Sequence, residues 1–199
     1  MKFFAKLNRG VLLSAAVVIA AAVYLIVLEA SHSAAKPEIQ RVCRSYTTTV
    51  AQYMLLPQKY RLQKPNIPKS ELTSYESSAS DAVKSYYAAG ALARYDINLI
   101  KKSLDSQAAG SGTVYTYSRK IKKFNTMTFD GDTVTVSFTS ELKYDGPLNS
   151  AVTRSSVTKN TNDTMTLKNE NGKWRVVYSS LQQPETTAYS SSYASLYTK

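Results

Sequence analysis

The stretch "DAVKSYYAAGALARYDINLIKKSL", residues 81–104, decides the fold. A helical apolar pattern runs to about Leu92, is interrupted at residues 93–96, and restarts through Ile97, Ile100 and Leu104. Apolar residues three and four positions apart share one face of a helix, so the stretch predicts two amphipathic helices joined by a turn. Each apolar face needs a second layer to cover it, and the flanking sequence supplies that layer.

Downstream of residue 112 the apolar period changes from 3.6 to 2, which predicts strands. "TVYTYSRKIKKFN", residues 113–125, is predicted to be a strand with one strongly basic face. Asp130-Gly131 and Asn171-Gly172 supply the turns of two hairpins, because tight hairpin turns need the positive φ that glycine tolerates. Helices followed by four to five antiparallel strands predict an α+β fold.

Upstream, "VLLSAAVVIAAAVYLIVL" runs from Val11 to Leu28 without a charge. As a helix it would be about 27 Å long, close to the ~30 Å hydrocarbon core of a bilayer. Lys2, Lys6 and Arg9 precede it, and such residues stay on the cytoplasmic side. We therefore predict a single-pass protein of the cell membrane, with a cytoplasmic N-terminus and an extracytoplasmic remainder. A cleaved signal peptide is the alternative, because "ASHSAAK" supplies small residues after the span.

The chain is expected to divide into five parts. These are a cytoplasmic segment at 1–10, a transmembrane anchor at 11–30, a helix and linker at 31–69, an α+β domain at 70–181, and a Ser/Thr/Tyr-rich tail at 182–199. An apolar stripe at helical spacing begins after Pro37 and ends near Pro57. The sequence leaves open whether this helix packs onto the domain or extends the anchor as a stalk.

Charge and cysteine content narrow the class of protein. The whole chain carries a net charge of +11. From residue 31 onward there are 22 Lys and Arg against 13 Asp and Glu, a net charge of about +9. Such a charge favours anionic lipid, nucleic acid or an acidic envelope polymer as partner. The single cysteine, Cys43, excludes an intramolecular disulfide, which fits a bacterial envelope protein, and its place on an apolar helix face predicts a buried thiol.

Two segments resemble the nuclear transport factor 2-like (NTF2-like, cystatin-like) superfamily. "VKSYYAAGALARYDINLIKKSL" is similar to the helix–turn–helix that opens that domain, and "GKWRVVYSS", residues 172–180, to its last strand. The resemblance covers roughly residues 78–181 and implies helices packed into the concave face of a curved antiparallel sheet, which makes a cone. With the anchor added, the architecture is similar to the inner-membrane scaffold proteins of type IV secretion and conjugation machines, which assemble other components.

Some members of this superfamily are enzymes that place an acid or His beside Tyr or Asp in the cone. This chain has only His32, directly after the span, and Asp96 beside Tyr95. The position of Asp96 at a helix junction predicts an N-cap. One Cys and one His cannot make a zinc site, and the sequence has neither a phosphate-binding glycine loop nor a serine nucleophile elbow. We predict that the protein is not an enzyme, with no catalytic, metal-binding or cofactor-binding residues and no cofactor.

Two segments are candidate binding sites. "YSRKIKKF" offers a polyanion-binding set, Arg119, Lys120, Lys122 and Lys123. Its alternative is a solvated edge strand that lysines protect from aggregation. Specific reading of nucleic acid is not expected, because that needs exposed aromatic side chains for base stacking. In the tail, a helix would align four partner-binding candidates, Tyr189, Tyr193, Leu196 and Tyr197, although disorder is the alternative.

These observations favour a membrane-anchored extracytoplasmic assembly subunit of a bacterial envelope complex, of the secretion or conjugation type. Its expected partners are the membrane and other envelope proteins, with a second copy of the chain left open. The alternative is a domain that binds a lipid or an anionic envelope polymer. An isomerase-like enzyme comes third.

Overall fold

The computed structural model describes residues 9–61, 66–110, 114–147 and 154–181. These residues form three α-helices, α1 (Arg9–Tyr53), α2 (Lys69–Lys84) and α3 (Arg94–Ala108), and a short 3-10 helix at Gln58–Tyr60. Four strands follow, β1 (Thr116–Asp130), β2 (Thr133–Pro147), β3 (Arg154–Glu170) and β4 (Lys173–Ser179). Each strand pairs antiparallel with the next one in sequence, giving one sheet in the order β1-β2-β3-β4. The predicted α+β fold class is confirmed.

The chain divides into two compact units, Met1–Glu38 and Ile39–Lys199. In the first unit, α1 exposes large apolar side chains; Leu13 is 68% exposed and Ile26 is 68% exposed. Among the described residues this helix is long and apolar enough to cross a membrane. Pro37 lies inside α1, so the prediction that a new helix begins there is wrong.

The second unit begins with the C-terminal turns of α1, which supply part of its core. Ile39, Cys43 and Tyr46 are fully buried, and Val50 is 2% exposed. Residues from Ile39 onward therefore belong to the domain, which answers the question of stalk or packed helix for this part of the chain. Cys43 is the buried thiol that the sequence predicts, and burial raises its pKa to about 12.

The sheet contributes the other side of the core through its period-2 alternation. Seven inward apolar side chains of β2, β3 and β4 have no solvent exposure; these are Val134, Val136, Phe138, Leu142, Met165, Leu167 and Val176. From the helical layer, α3 buries Ile97, Ile100 and Leu104, the residues whose spacing predicted that helix. Side chains from the sheet and from the helical layer thus form the core of the domain.

Strand β1 is one long strand, where the sequence predicts a separate strand followed by a hairpin arm. Its register with β2 shifts twice, between Ile121 and Lys123 and between Phe124 and Thr126. Each shift is a β-bulge, an extra residue that kinks one strand without ending it. The two bulges let the predicted strand and the predicted hairpin arm run on as one strand.

Helix α2 ends at Lys84, earlier than the predicted end near Leu92. Gly90 has a φ of +79°, which lies outside the range of a right-handed α-helix, so the helix cannot continue through it. Instead the segment after α2 lies along the outer edge of β4. The Ala88 N–H donates to the Val176 carbonyl at 2.9 Å, and the Val176 N–H donates to the Tyr86 carbonyl at 2.8 Å.

Candidate functional site

Three side chains from three helical-layer segments meet inside the domain, and we call them the Asp96 cluster: Tyr46, Tyr87 and Asp96. Tyr46 comes from the buried stripe of α1, Tyr87 from the segment held against β4, and Asp96 from the first turn of α3. Both tyrosine hydroxyls donate to the same carboxylate oxygen of Asp96, that of Tyr87 at 2.7 Å. The two hydroxyl oxygens lie 3.1 Å apart. The cluster therefore ties the three segments together.

Asp96 is not the N-cap that the sequence predicts. Ala93 is the residue before α3, and its side chain makes no capping hydrogen bond. Asp96 lies in the first turn of the helix, is 8% exposed, and faces the interior. Burial raises its pKa, while the hydrogen bonds from Tyr46 and Tyr87 and the charge of Arg119 oppose the rise. Burial also raises the pKa of Tyr46 well above its ordinary value, and the neighbouring carboxylate adds to that rise.

A second set of polar side chains lies on the inner face of the sheet, and we call it the Arg119 cluster: Arg119, Ser140, Thr161 and Asp163. The Nη1 atom of Arg119 lies 3.9 Å from Oδ1 of Asp163. The hydroxyls of Ser140 and Thr161 donate to Oδ2 of Asp163, that of Thr161 at 2.9 Å. Arg119 is 3% exposed and Asp163 1% exposed, so this ion pair is buried in the core.

The guanidinium of Arg119 is under-satisfied. Among the described residues, none of its three nitrogens has a hydrogen-bond partner, although all three are buried. Its charge faces Asp163 and also acts on Asp96 and on the buried Tyr117. A buried cation is costly without nearby negative charge, and Asp163 supplies that charge to Arg119.

The polyanion-binding set predicted on β1 is split by the fold. Lys120, Lys122 and Lys123 are exposed, whereas Arg119 is buried, so the prediction for Arg119 is wrong. The alternation of a strand places Arg119 on the inner face with Tyr117 and Ile121. The bulge after Ile121 then leaves Lys122 and Lys123 exposed in succession.

The structure adds Arg44, which was not in the predicted set, to this basic surface. Arg44, on the exposed face of α1, donates from Nη1 to the Ile121 carbonyl at 2.9 Å, and its guanidinium lies 4.9 Å from the centre of the Phe124 ring. A shallow groove beside it is lined by Arg44, Ser45, Thr48, Thr49 and Tyr86. Arg44 could be recognised in the sequence only as an exposed helix residue, because its contacts with β1 span 77 positions.

Glu141 partly neutralises this basic surface. Its carboxylate lies 3.2 Å from Nζ of Lys122 and 3.7 Å from Nζ of Lys143. The partner-binding candidates of the tail, Tyr189, Tyr193, Leu196 and Tyr197, lie outside the described residues.

The chemistry open to the Asp96 cluster is limited by its own hydrogen bonds. A buried carboxyl group with a raised pKa beside phenols is the kind of group that general acid–base catalysis uses. Here one carboxylate oxygen already accepts from both tyrosines, so a substrate would have to compete with them for that oxygen. Within the part of the chain that the structure describes, no three His, Cys, Asp or Glu side chains lie together as a metal site.

No known protein-family model matches this sequence, and no curated protein matches it. Among solved structures, the chain is similar to an NTF2-like protein with a cystatin-like fold from Novosphingobium aromaticivorans. The two share 15% identity and align with a TM-score of 0.39, over 84% of this chain and 92% of that one. The α+β assignment rests on the order and pairing of this chain's own helices and strands.

Proposed function

We propose that this protein is a membrane-anchored, extracytoplasmic assembly subunit of a bacterial envelope complex, of the secretion or conjugation type. In this role the apolar N-terminal helix holds the chain in the membrane, and the second unit binds other envelope proteins through its outer surface.

The observation that carries the proposal is that the side chains inside the domain are buried and that its interior polar groups bond to one another. Tyr46, Phe138, Leu142 and Met165 occupy the space between helices and sheet with no solvent exposure. The interior polar groups are engaged with one another, Asp96 with two tyrosines and Asp163 with Ser140, Thr161 and Arg119. A domain built in this way presents its outer surface to partners, and the exposed apolar part of α1 suits a membrane anchor.

The test is a crosslinking pull-down of the full-length protein from its native membrane, with mass spectrometry of bound proteins and small molecules. We expect other envelope subunits, recovered reproducibly and lost when crosslinking is omitted. A matched control is the same chain with residues 11–28 replaced by an unrelated membrane span, which retains the domain. Recovery of partners only with the native span would place the interaction in the membrane and contradict a domain-based assembly role.

A second candidate is binding of an anionic envelope polymer or lipid headgroup at the basic surface of β1. Arg44 favours it, because the structure adds this cation to the exposed Lys120, Lys122 and Lys123 through the contacts with Ile121 and Phe124. Clustered cations of this kind bind polyanions by releasing counterions. In the same pull-down, a protein-poor sample enriched in one lipid or polymer would support this candidate and contradict the first.

A further inference from the structure

Within the part of the chain that the structure describes, β3 leaves part of one sheet edge unpaired. It pairs with β2 from Arg154 to Lys168 without a register shift, but β4 pairs only with residues 165–170. The last contact described on the β4 side is the Ser180 N–H to the Thr164 carbonyl, at 2.9 Å. Backbone groups alternate sides along a strand, so those of Ser156, Thr158 and Asn160 face the same side as those of Thr164. Among the described residues, no strand pairs with them there.

This edge has fewer of the devices that protect the opposite one. The β1 edge carries Lys120, Lys122 and Lys123, two bulges, and the contact from Arg44 to the Ile121 carbonyl. Lysines and bulges are what proteins use to stop an edge from pairing with another chain. Residues 154–160 of β3 are "RSSVTKN", with one lysine, no proline and no bulge against β2. Such an edge is suited to accept a strand.

The chain's own C-terminal segment is a poor occupant of the edge. Met165 pairs with Ser179, so a continuation of β4 in the same register would bring Pro184 opposite Asn160. Asn160 is one of the residues whose backbone groups face the open side, and proline has no N–H to donate there. The sequence of that continuation therefore favours another molecule as the partner of residues 154–160.

We propose that the open edge of β3 pairs antiparallel with the same edge of a second copy of this chain. The register centres on Val157, which would face Val157 of the second copy across a non-hydrogen-bonded pair on the inner side of the sheet. Ser156 would then exchange backbone hydrogen bonds with Thr158 of the second copy, and residue 154 with residue 160. This ladder contains about eight hydrogen bonds.

Three features favour a second copy of this chain over a strand from a different protein. The register is self-complementary, with a β-branched pair at its centre, and Lys159 faces Ser155 of the second copy instead of another lysine. The protected β1 edge stops further addition, so the pairing closes at two copies and does not grow into a fibre. Anchoring in one membrane, which rests on the proposed function, raises the local concentration of copies and so favours a weak strand pairing.

The experiment uses the full-length protein in its native membrane, with Val157→Cys as the reporter. In a non-hydrogen-bonded pair the two Cα atoms are about 4.5 Å apart, which allows a disulfide. Thr126→Cys, exposed on the protected β1 edge, is the matched control for random collision. Cys43 is buried with a raised pKa, so the wild-type chain provides the background. Under mild oxidation we expect at least tenfold more disulfide-linked dimer for Val157→Cys than for Thr126→Cys.

A proline at the edge tests the strand pairing itself. Thr158→Pro, added to Val157→Cys, removes an N–H that points to the open side and makes no bond to β2. We expect at least a tenfold loss of crosslinking, whereas Thr158→Val should retain it, because valine keeps the donor. Fluorescence of Trp174, the only tryptophan, would check that the domain remains folded. Crosslinking that survives Thr158→Pro in a folded domain would overturn the proposal.

A mixing experiment tests the register and avoids any proline. Protein with Ser156→Cys and protein with Thr158→Cys are coexpressed, and we expect the mixed pair to crosslink several-fold more than either variant alone. Equal yields for all combinations, or for Val157→Cys and Thr126→Cys, would overturn the proposal. Envelope subunits recovered by pull-down without the Val157→Cys dimer would leave the proposed function standing and remove only this inference. Detection of the Val157→Cys dimer without recovery of envelope partners would support this inference and contradict the proposed function.

Discussion

Arg119 and Lys122 lie three positions apart on β1 and have opposite surroundings. Arg119 is 3% exposed, faces Asp163, and belongs to the interior of the domain. Lys122 is exposed and pairs with Glu141 at the surface. One basic stretch therefore contains two kinds of charge, one buried and paired in the core and one exposed and paired at the surface. Substitutions at the two kinds of position are expected to differ in their effects on stability and on binding.

The largest loss of stability is expected where the interior charge loses its counterion. Asp163→Ala leaves Arg119 buried beside no ionised partner on the sheet and removes the acceptor of the Ser140 and Thr161 hydroxyls. Breaking a buried pair from one side costs about 3–5 kcal/mol of unfolding free energy. Urea unfolding of the full-length protein in mild detergent, followed by Trp174 fluorescence, measures it.

The control for that prediction removes both charges. In the double variant Arg119→Met with Asp163→Ala, no unpaired ion remains in the core, so we expect part of the lost stability to return. If the double variant is as unstable as the sum of the two single variants, Arg119 and Asp163 are not coupled as their 3.9 Å separation indicates.

A smaller loss is expected at the Asp96 cluster. Tyr46→Phe keeps the fully buried ring and deletes only the hydroxyl that donates to Asp96, which should cost about 1–3 kcal/mol. Tyr86→Phe is the matched control, because the hydroxyl of Tyr86 lies 3.2 Å from that of Thr49 in a partly buried site at the groove. Equal losses for the two variants would mean that the carboxylate is not what makes the Tyr46 hydroxyl important.

Asp96 should also make stability depend on pH. Its pKa in the folded domain is raised, so its contribution to folding is fully present below the ordinary pKa of an aspartate. That contribution is lost as pH rises through the raised value. Relative to Asp96→Asn, the wild-type chain should lose unfolding free energy across that window, by at most about 1.4 kcal/mol per pH unit for one proton. Parallel pH profiles for the two proteins would contradict a raised pKa.

The same variant separates the assembly role from the isomerase-like one. Asparagine can still accept a hydrogen bond from Tyr46 but cannot take up a proton at neutral pH. If Asp96→Asn remains folded and still recovers the same envelope subunits, a proton-transfer role for Asp96 is not needed for assembly. A loss of function in a folded Asp96→Asn protein would instead support the catalytic interpretation.

The sequence was sufficient for the elements that depend on local periodicity. The apolar spacing of Ile97, Ile100 and Leu104 predicted α3, and the Asn-Gly and Asp-Gly turns predicted both hairpins. It was insufficient where tertiary contacts decide the outcome. Helix α2 ends early because the following segment pairs with Val176, about 90 positions away, and no local pattern shows that.

The candidate site was harder to predict than the fold. Strict alternation would have placed Arg119 on the inner face beside Tyr117, but the surrounding lysines suggested a single basic face. Asp96 lies at a helix start, where capping is the usual role, and only the fold brings Tyr46 to it across 50 positions. Charge density along the sequence therefore identified the basic strand but not which of its cations is buried.

The smallest effect on stability, and the largest on polyanion binding, is expected at the surface lysines. The double variant Lys122→Ala with Lys123→Ala should unfold at the same urea concentration as the wild type, because both side chains are exposed. A matched control, Lys84→Ala with Lys102→Ala, removes the same net charge from exposed positions on α2 and α3. Binding of polyphosphate by the full-length protein is measured across a series of salt concentrations.

If the β1 surface is a polyanion site, removing Lys122 and Lys123 lowers the affinity and makes the slope of log K against log salt shallower by about two, since each phosphate contact releases a counterion. The control variant should keep the wild-type slope. Equal losses for both double variants would mean that only net charge matters, and Lys122 would then be a solvated residue that pairs with Glu141 and protects the edge of the sheet. In that case Arg119 and Lys122 would still differ in burial, but both would serve the fold, and neither would select a ligand.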